Sequence, residues 1–357
     1  MNVGVGVPDD PYMNKQKNKE VSMKQYKFAL VGATGVVGEM ARKILEEKKL
    51  PISEYAFFAS KKSAGKKIKF IDKEYEIQEL TEKSFDEGFD FAIFSAGGEV
   101  SKKYAPIAAE KGCIVIDNSS SFRMDEEVPL VVPEVNPEEI KRNKGIIANP
   151  NCSTIQAVVA LKPLDDKYKI KRIVYSTYQA VSGAGMNGLL DLEAGITNYK
   201  KGEYKLEKFP YPIFDNCLPH IDVFLENGYT KEEEKMINET RKILKRPDLK
   251  VTATTVRVPV TNSHSESINI EFENEFELKE LIETLKNAEG IIVQNDHTKN
   301  EYPMPINVTG HDEVFVGRIR RDYSVENGVN IWVVADNIRK GAASNAIQIL
   351  EKMIFEK

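Results

Sequence analysis

The chain has 357 residues, with 50 lysines and arginines, 55 aspartates and glutamates, and a formal net charge of −5. This length is enough for two domains with full-sized cores. The mild acidity and the lack of a basic block argue against a general nucleic-acid-binding protein. Three widely spaced cysteines and four histidines argue against a disulfide framework or a metal cluster, and they indicate a reducing cytoplasm.

The first 22 residues differ in composition from the rest of the chain. They contain Gly, Pro, Asn and Lys without periodicity, and they lack the apolar core of a signal peptide. We expect a disordered extension over residues 1–22, or an upstream start ahead of Met23. No apolar run in the chain approaches the length of a membrane span.

A glycine-rich stretch follows the first predicted strand. Residues 26–31 predict a strand, the three glycines within residues 32–38 a tight loop, and residues 39–46 a helix. This order is typical of a dinucleotide site, where the pyrophosphate lies on the helix N-terminus. The spacing is G-x-x-G-x-x-G and departs from the strict fingerprint, so a tight turn in an ordinary βαβ unit is the alternative.

The second predicted strand, residues 54–59, ends where an NAD-binding protein has an acidic residue for the ribose. This chain has Lys62 and Ser63 near that point, within Ser-Lys-Lys-Ser. Cations with hydroxyls suit a 2′-phosphate and favour NADP, although a solvated lysine-rich turn is the alternative. Further predicted strands and a helix over residues 89–117 complete a Rossmann-like doubly wound parallel sheet within residues 23–151.

Two polar positions follow strand ends of this predicted sheet. Arg123 comes after three serines and is either an anion ligand or a surface arginine. Cys152 follows the predicted strand 146–148 and the turn Asn-Pro-Asn, and it precedes a helix with a hydroxyl near its cap. The amides and dipole of a helix N-terminus favour a thiolate, so we interpret Cys152 as a nucleophile. A buried structural cysteine is the alternative.

The second domain is predicted over residues 152–337. It contains a strand over 171–180, a flexible ligand-approaching loop over 181–186, an irregular stretch over 198–219 and a helix that begins at Thr230. Later strands predict a mixed or antiparallel sheet with helices on one side: residues 251–259, 266–272, 313–320 and 329–335. We expect the last helix, within residues 338–357, to return its apolar face to the first domain.

Five motifs occur in an order that resembles the aspartate-semialdehyde dehydrogenase family. They are GATGVVG at 32–38, NPNCST at 149–154, QAVSGAG at 179–185, RVPV at 257–260 leading to His264, and NIRKGAA at 337–343. The resemblance covers the chain from about residue 25 to its end. It implies an NADP-binding domain, a catalytic domain that forms a homodimer, and reductive dephosphorylation of aspartyl phosphate on the route to lysine, threonine and methionine.

The resemblance also implies a role for each matching residue. Cys152 matches the nucleophile, and His264, whose imidazole titrates near neutral pH, matches the acid/base. The substrate-binding matches are Gln179 for the acyl group, Arg257 for the carboxylate, Glu232 for the amine, and Arg123 with Lys235 for the phosphate. The coenzyme-binding matches are Thr34, Gly35, Val36, Val37, Lys62, Ser63, Ser182, Gly183 and Asn337, with Lys62 where many members have arginine.

Other interpretations of these residues remain open at this point. His264 could be structural, Gln179 could satisfy a strand end, and Glu232 with Lys235 could form an ordinary i,i+3 helix pair. A related enzyme would act on acetylglutamyl phosphate or glyceraldehyde phosphate. A non-catalytic NADP-sensing or scaffold protein on the same fold is a rival from another class.

Overall fold

The computed structural model describes residues 24–198, 201 and 205–356. The extension predicted over residues 1–22 lies outside the described residues. Two six-stranded sheets organise the described chain, and each packs on its own hydrophobic core. Among the described residues, no helix is long and apolar enough to cross a membrane.

The first sheet is entirely parallel and has the strand order β5-β2-β1-β6-β7-β8. Its strands are β1 (Tyr26–Val31), β2 (Ile52–Ala59), β5 (Gln78–Glu79), β6 (Phe91–Phe94), β7 (Ile114–Asp117) and β8 (Ile146–Ala148). A hairpin of β3 (Lys67–Phe70) and β4 (Lys73–Glu76), which the sequence patterns do not predict, precedes β5. The crossover helices are α1 (Val36–Lys48) and α2 (Gly98–Glu110). The Rossmann-like prediction is confirmed.

The second sheet is mixed and has the order β10-β9-β11-β14-β13-β12. Its strands are β9 (Ile170–Gln179), β10 (Lys250–Arg257), β11 (His264–Phe272), β12 (Ile291–Val293), β13 (Val314–Asp322) and β14 (Gly328–Ala335). Strand β9 runs parallel to β10 and antiparallel to β11. The prediction of a second α+β domain with a mixed sheet is confirmed.

Three helices bury one face of this sheet: α3 (Cys152–Tyr168), α5 (Lys231–Ile243) and α6 (Leu278–Lys286). Helix α5 begins as the sequence predicts, since Thr230 and Glu233 form a reciprocal capping box. The short helix α7 (Pro305–Val308) lies near β14.

Residues 181–186 are more regular than the predicted flexible loop. A 3-10 turn covers Val181–Ala184, and the helix α4 (Met186–Asn198) begins directly after Gly185. Gly185 has a φ of 77°, a conformation that favours glycine, so it allows the chain to change direction between the two elements.

The C-terminal segment returns to the first domain, as predicted. A π-helical turn, Arg339–Ser344, leads into α8 (Asn345–Phe355). Ile347 and Leu350 of α8 pack in the same core as Phe28 and Leu30 of β1. The two domains are therefore joined both by the chain that enters α3 and by the chain that leaves β14. The domain limits at 151 and 337 stay predictions.

Candidate active site

The turn that carries Cys152 joins β8 to α3. Asn151 is the N-cap of α3, and its side-chain oxygen accepts the backbone N–H groups of Ser153 at 3.0 Å and Thr154 at 3.3 Å. The hydroxyls of Ser153 and Thr154 are buried and make no hydrogen bond within the described residues. Hydroxyls therefore lie near the cap, as the sequence predicts, but the asparagine side chain and not a hydroxyl accepts these amides.

Cys152 is partly exposed in a pocket that both domains line. Burial of the sulfur raises the pKa of the thiol to about 12, and the Glu232 carboxylate acts in the same direction. Arg257, Arg123 and the Ser153 amide lower this pKa, but burial outweighs them. The Ser153 amide thus acts in the direction expected of the helix N-terminus, but it does not bring the pKa of Cys152 below its usual value.

His264 is the first residue of β11 and is completely buried. Its Nδ1 accepts the N–H of Ala180 at 3.0 Å, and its Nε2 has no partner among the described residues. A backbone N–H can only donate, so the neutral ring carries its proton on Nε2. Burial, with the positive charge of Arg257, lowers the pKa of His264 well below its usual value. The expectation of titration near neutral pH is wrong.

Arg257 and Gln179 stand side by side at the ends of β10 and β9. One terminal nitrogen of Arg257 donates to the carbonyl of Ala180 at 2.6 Å, while its Nε has no partner among the described residues. The Gln179 amide donates to Glu232 at 3.2 Å and accepts the Thr177 hydroxyl at 3.0 Å. These bonds fix the amide, and the buried Nε–H of Arg257 makes no hydrogen bond to any described residue.

Helix α5 brings Glu232 and Lys235 into the same pocket. Glu232 accepts the Asn151 side chain at 2.8 Å, and the Lys235 ammonium lies 3.2 Å from Glu232 and 2.7 Å from Asp222. Burial opposes the charge of Glu232, but Lys235 and its hydrogen-bond donors hold its pKa below the usual value. Burial likewise opposes the charge of Lys235, but the two carboxylates raise its pKa. The i,i+3 pair is therefore charged and faces the pocket.

Arg123 is buried and forms part of the pocket wall. It donates to the carbonyls of Asn149 and Asn118, each at 2.9 Å, and it pairs with Glu239 at 3.0 Å. The second oxygen of Glu239 accepts the backbone N–H of Asn151 at 2.7 Å. A single carboxylate thus holds both the arginine and the turn before Cys152, and Arg123 is not a surface arginine.

A cleft runs from Cys152 to the glycine loop. Six of the residues predicted to bind the coenzyme line it: Gly35, Val36, Val37, Ser182, Gly183 and Asn337. Thr34 is exposed on the same loop but lies outside this lining. Lys62 and Ser63 also lie outside it, in the turn that follows β2.

The start of α1 has the properties of a pyrophosphate site. Gly35 is the N-cap, and because it has no side chain, no cap side chain occupies the first amides of the helix. A Cβ added at Gly32 or Gly38 would lie 2.2 Å from a backbone oxygen, whereas one at Gly35 would approach nothing closer than 3.6 Å. The loop is therefore tightly packed beneath and open above, as the approach of a dinucleotide requires.

Two family models match the chain. "Semialdehyde dehydrogenase, NAD binding domain" matches residues 27–143, and "Semialdehyde dehydrogenase, dimerisation domain" matches residues 161–340. An aspartate-semialdehyde dehydrogenase from Aquifex aeolicus is 56% identical over 335 residues, which are 93% of this chain and 98% of that relative. The chain belongs to the aspartate-semialdehyde dehydrogenase family. The resemblance predicted from the five motifs is confirmed.

Solved structures of aspartate-semialdehyde dehydrogenases share the fold of this chain. Aspartate semialdehyde dehydrogenase II from Vibrio cholerae, complexed with ASA, is 45% identical, with a TM-score of 0.89 over 93% of this chain and 99% of that one. The enzyme from Candida albicans with NADP is 27% identical, with a TM-score of 0.73 over 93% of this chain and all of that one.

Sequence reasoning misses three charged residues around the pocket of this aspartate-semialdehyde dehydrogenase family member, Lys208, Asp222 and Glu239. Glu239 lies seven residues after Glu232, on the same face of α5, so its helical spacing was an available signal. Asp222 lies outside the helices and strands and carries no such signal. Only the fold brings its carboxylate to Lys235.

Proposed function

We propose that the protein is an NADP-dependent aspartate-semialdehyde dehydrogenase. It converts L-aspartyl 4-phosphate and NADPH into L-aspartate 4-semialdehyde, phosphate and NADP, on the route to lysine, threonine and methionine. The observation that carries this proposal is a thiol at the end of the coenzyme cleft, in a pocket that also holds cations for two anionic groups. The relatives named as aspartate-semialdehyde dehydrogenases support it.

Cys152 is the proposed nucleophile. Its sulfur attacks the acyl carbon of the substrate, the bond from that carbon to the phosphate oxygen breaks, and a thioester forms while the thiol proton passes to the departing phosphate. Because burial raises the pKa of the free thiol to about 12, this proton is lost during attack and not beforehand. Phosphate is a good leaving group, so displacement by sulfur is chemically reasonable.

The charged residues of the pocket match the charged groups of the substrate. Arg257 binds the carboxylate, and Arg123 with Lys235 binds the phosphate. Glu232 binds the amine, and Gln179, oriented by its own hydrogen bonds, positions the acyl group. Holding both ends of the substrate fixes the carbonyl against the sulfur and supplies much of the rate enhancement.

His264 acts as a hydrogen-bond donor to the oxyanion that develops on the acyl carbon. Its neutral ring carries a proton on Nε2, beside Gly183 and Arg257 in the pocket. A neutral imidazole with this tautomer can stabilise negative charge on an oxygen without first being protonated. This role replaces the acid/base with a near-neutral pKa that the sequence suggests.

The coenzyme cleft fits NADP. The amides at the start of α1 receive the pyrophosphate, and Val36, Val37, Ser182, Gly183 and Asn337 line the path to Cys152. Thr34 and Gly35 lie on the glycine loop, and Lys62 with Ser63, in the turn after β2, is the proposed ligand of the 2′-phosphate. The coenzyme, when bound, supplies the hydride that reduces the thioester.

We infer a cytoplasmic homodimer. The second family model is described as a dimerisation domain and covers residues 161–340. All three cysteines are free, which suits a reducing compartment.

The test is turnover by the purified protein. NADPH formation from aspartate semialdehyde, NADP and phosphate is followed by absorbance, with NAD in a parallel assay. We expect turnover that prefers NADP, and a Cys152→Ser variant should lose roughly 10³-fold or more while it still binds NADP. Preference for acetylglutamyl or glyceraldehyde acyl phosphates in the reverse direction would reassign the substrate, and NADP binding without turnover would indicate a sensor or scaffold.

A further inference from the structure

A short segment, residues 205–209, is anchored beside the catalytic pocket by one buried carboxylate. Asp191 of α4 is 1% exposed, and its oxygens accept three consecutive backbone N–H groups: Glu207 at 2.7 Å, Lys208 at 2.9 Å and Phe209 at 2.9 Å. Three amides on a buried carboxylate fix the course of the chain at Lys208.

Phe209 fixes the other side of the segment. Its ring centroid lies 5.9 Å from the Arg257 guanidinium, and the ring packs against a buried cluster that includes Val181 and Leu192. A Cβ added at Gly188 of α4 would lie 3.4 Å from this ring, so the helix and the ring are in close contact. The backbone of Lys208 therefore has a defined place next to Arg257.

Lys208 lines the catalytic pocket together with Arg123, Lys235 and Arg257. The positive charge of Arg123 is already balanced by Glu239 at 3.0 Å. That of Lys235 is balanced by Asp222 at 2.7 Å and Glu232 at 3.2 Å, as described above. Neither Lys208 nor Arg257 forms an ion pair with any residue that the structure describes.

An acyl phosphate of aspartate has two anionic groups, a carboxylate and a phosphate. Arg257 is assigned to the carboxylate, and the two cations assigned to the phosphate are paired with protein carboxylates. A doubly charged phosphate would therefore find no unpaired cation in Arg123 and Lys235, the two residues assigned to it. Lys208 is the pocket cation that remains to balance it, and an ammonium is well suited to bind phosphate as a point charge.

We propose that Lys208 is a further phosphate-binding residue of this enzyme and that Asp191 is the residue that positions it. The ligand is inorganic phosphate in one direction and the phosphoryl group of the acyl phosphate in the other. This inference rests on the proposed function, because that function makes phosphate a substrate of the pocket.

The test compares Lys208→Met with Lys208→Arg and with Lys205→Met. Lys205 lies on the same segment but is highly exposed and pairs with Glu207 at 2.7 Å, so it is a matched control. We expect Lys208→Met to raise the KM for phosphate roughly tenfold, with the KM for aspartate semialdehyde and kcat changed less than about threefold. Lys208→Arg should retain most of the phosphate affinity, and Lys205→Met should match the parent.

Calorimetric titration with inorganic phosphate measures the same contact without turnover. The Kd for phosphate should rise roughly tenfold in Lys208→Met. An unchanged Kd and KM for phosphate, or a rise in the KM for aspartate semialdehyde alone, would overturn the proposal. If the parent binds phosphate through Lys208 but does not oxidise aspartate semialdehyde, the proposed function fails and the phosphate site stands.

Asp191→Asn tests the positioning part of the proposal. An amide has only one acceptor oxygen, so it cannot hold all three N–H groups. We expect a weaker phosphate affinity in the parent background and no further loss in the Lys208→Met background, since the two residues act through one contact. Equal losses in both backgrounds would show that Asp191 acts on the pocket by another route.

Discussion

At the scale of single residues, burial decides the chemistry of Cys152 and His264. His264 is completely buried and Cys152 is partly exposed, and in both the neutral form is favoured: burial of the reacting atoms raises the pKa of the thiol and lowers that of the imidazole. A neutral thiol and a neutral imidazole do not form a preformed thiolate–imidazolium pair. The resting site therefore stores little charge at its reacting atoms, and substrate binding must precede activation.

The tautomer of His264 gives the first prediction at this scale. A glutamine can place an amide N–H near the position of the imidazole Nε2, whereas an asparagine amide is too short and lies near Nδ1. If Nε2–H donates to the oxyanion, His264→Gln should retain clearly more kcat than His264→Asn. We expect a loss of roughly 10²–10³ for His264→Asn, the usual effect of removing an oxyanion donor. Equal and severe losses in both variants would favour proton transfer by His264.

The ring itself can be observed by NMR with ¹⁵N-labelled histidine. Because the pKa lies well below its usual value, we expect His264 to stay neutral with its proton on Nε2 as the pH falls from 8 to about 6. The unfolded chain takes up a proton near pH 6.5 and the folded ring does not, so this residue costs stability below that pH and none above it. A His264 signal that titrates near pH 6.5 would contradict the assignment.

The sequence predicts which residues form the site better than it predicts the surroundings of each residue. The family resemblance names seven residues that the structure gathers in one pocket, and their roles stay proposals. The pKa directions of Cys152 and His264 were not predictable, because they depend on how many protein atoms the fold places around each group. Glu239 was missed for a related reason, since its partners Arg123 and Asn151 are more than 80 residues away in sequence.

At the scale of elements, the π-helical turn Arg339–Ser344 packs directly against the start of α3. A Cβ added at Gly341 would lie 2.8 Å from the Cβ of Cys152 and 3.2 Å from its Cα. The distance of 2.8 Å is shorter than real Cβ contacts allow, and the Cβ and Cα atoms of Cys152 cannot move without the helix backbone. π-helical turns are often found at functional sites, and here the turn sets the position of the nucleophile.

Gly341→Ala should therefore move Cys152 while leaving the phosphate-binding residues in place. We expect kcat to fall roughly 10- to 100-fold, since displacements of about 1 Å have such effects, and the Kd for phosphate to change little. Circular dichroism and the Tm report whether the variant is folded. A folded variant with parental kcat would show that the turn gives way instead of the nucleophile.

Elements with strong local signals were predictable, and those set by packing were not. The capping box of α5 and the apolar strands of the first sheet are readable because the local sequence and the final structure agree. The helix α4 was not predicted, since the Gly-rich residues before it suggest a loop. The π-helical turn has no simple periodic signature, and its form depends on the close approach to α3.

At the scale of the whole molecule, the alternation of strands and helices was enough to predict the first sheet. The second sheet was predicted as mixed, but not its strand order, because β9 pairs with strands that lie 70 or more residues later in the chain. The prediction that the last helix returns to the first domain needed only its apolar face. The contact that we expect to hold this helix in place was not predictable, because it joins two charged residues that are 206 positions apart in the sequence.

That contact is a buried ion pair across the junction of the domains. Lys340, in the π-helical turn, is fully buried and lies 2.7 Å from both oxygens of Glu134. Its ammonium also donates to Gln348 at 2.8 Å and to Asn345 at 3.2 Å. Asn345 in turn donates to Asn149, beside the turn that carries the nucleophile. The pair therefore connects the returning segment to the first domain and to the site.

Lys340→Met should leave Glu134 buried without its cation. We expect a loss of about 3–5 kcal/mol in the free energy of unfolding, measured with urea, because an uncompensated buried charge is more costly than the missing pair. A Lys340→Met/Glu134→Met double variant, which replaces the pair with apolar side chains, should recover most of that loss. If the single variant loses less than about 1 kcal/mol, or the double variant is no more stable than it, then packing of α8 fixes the return and the ion pair does not.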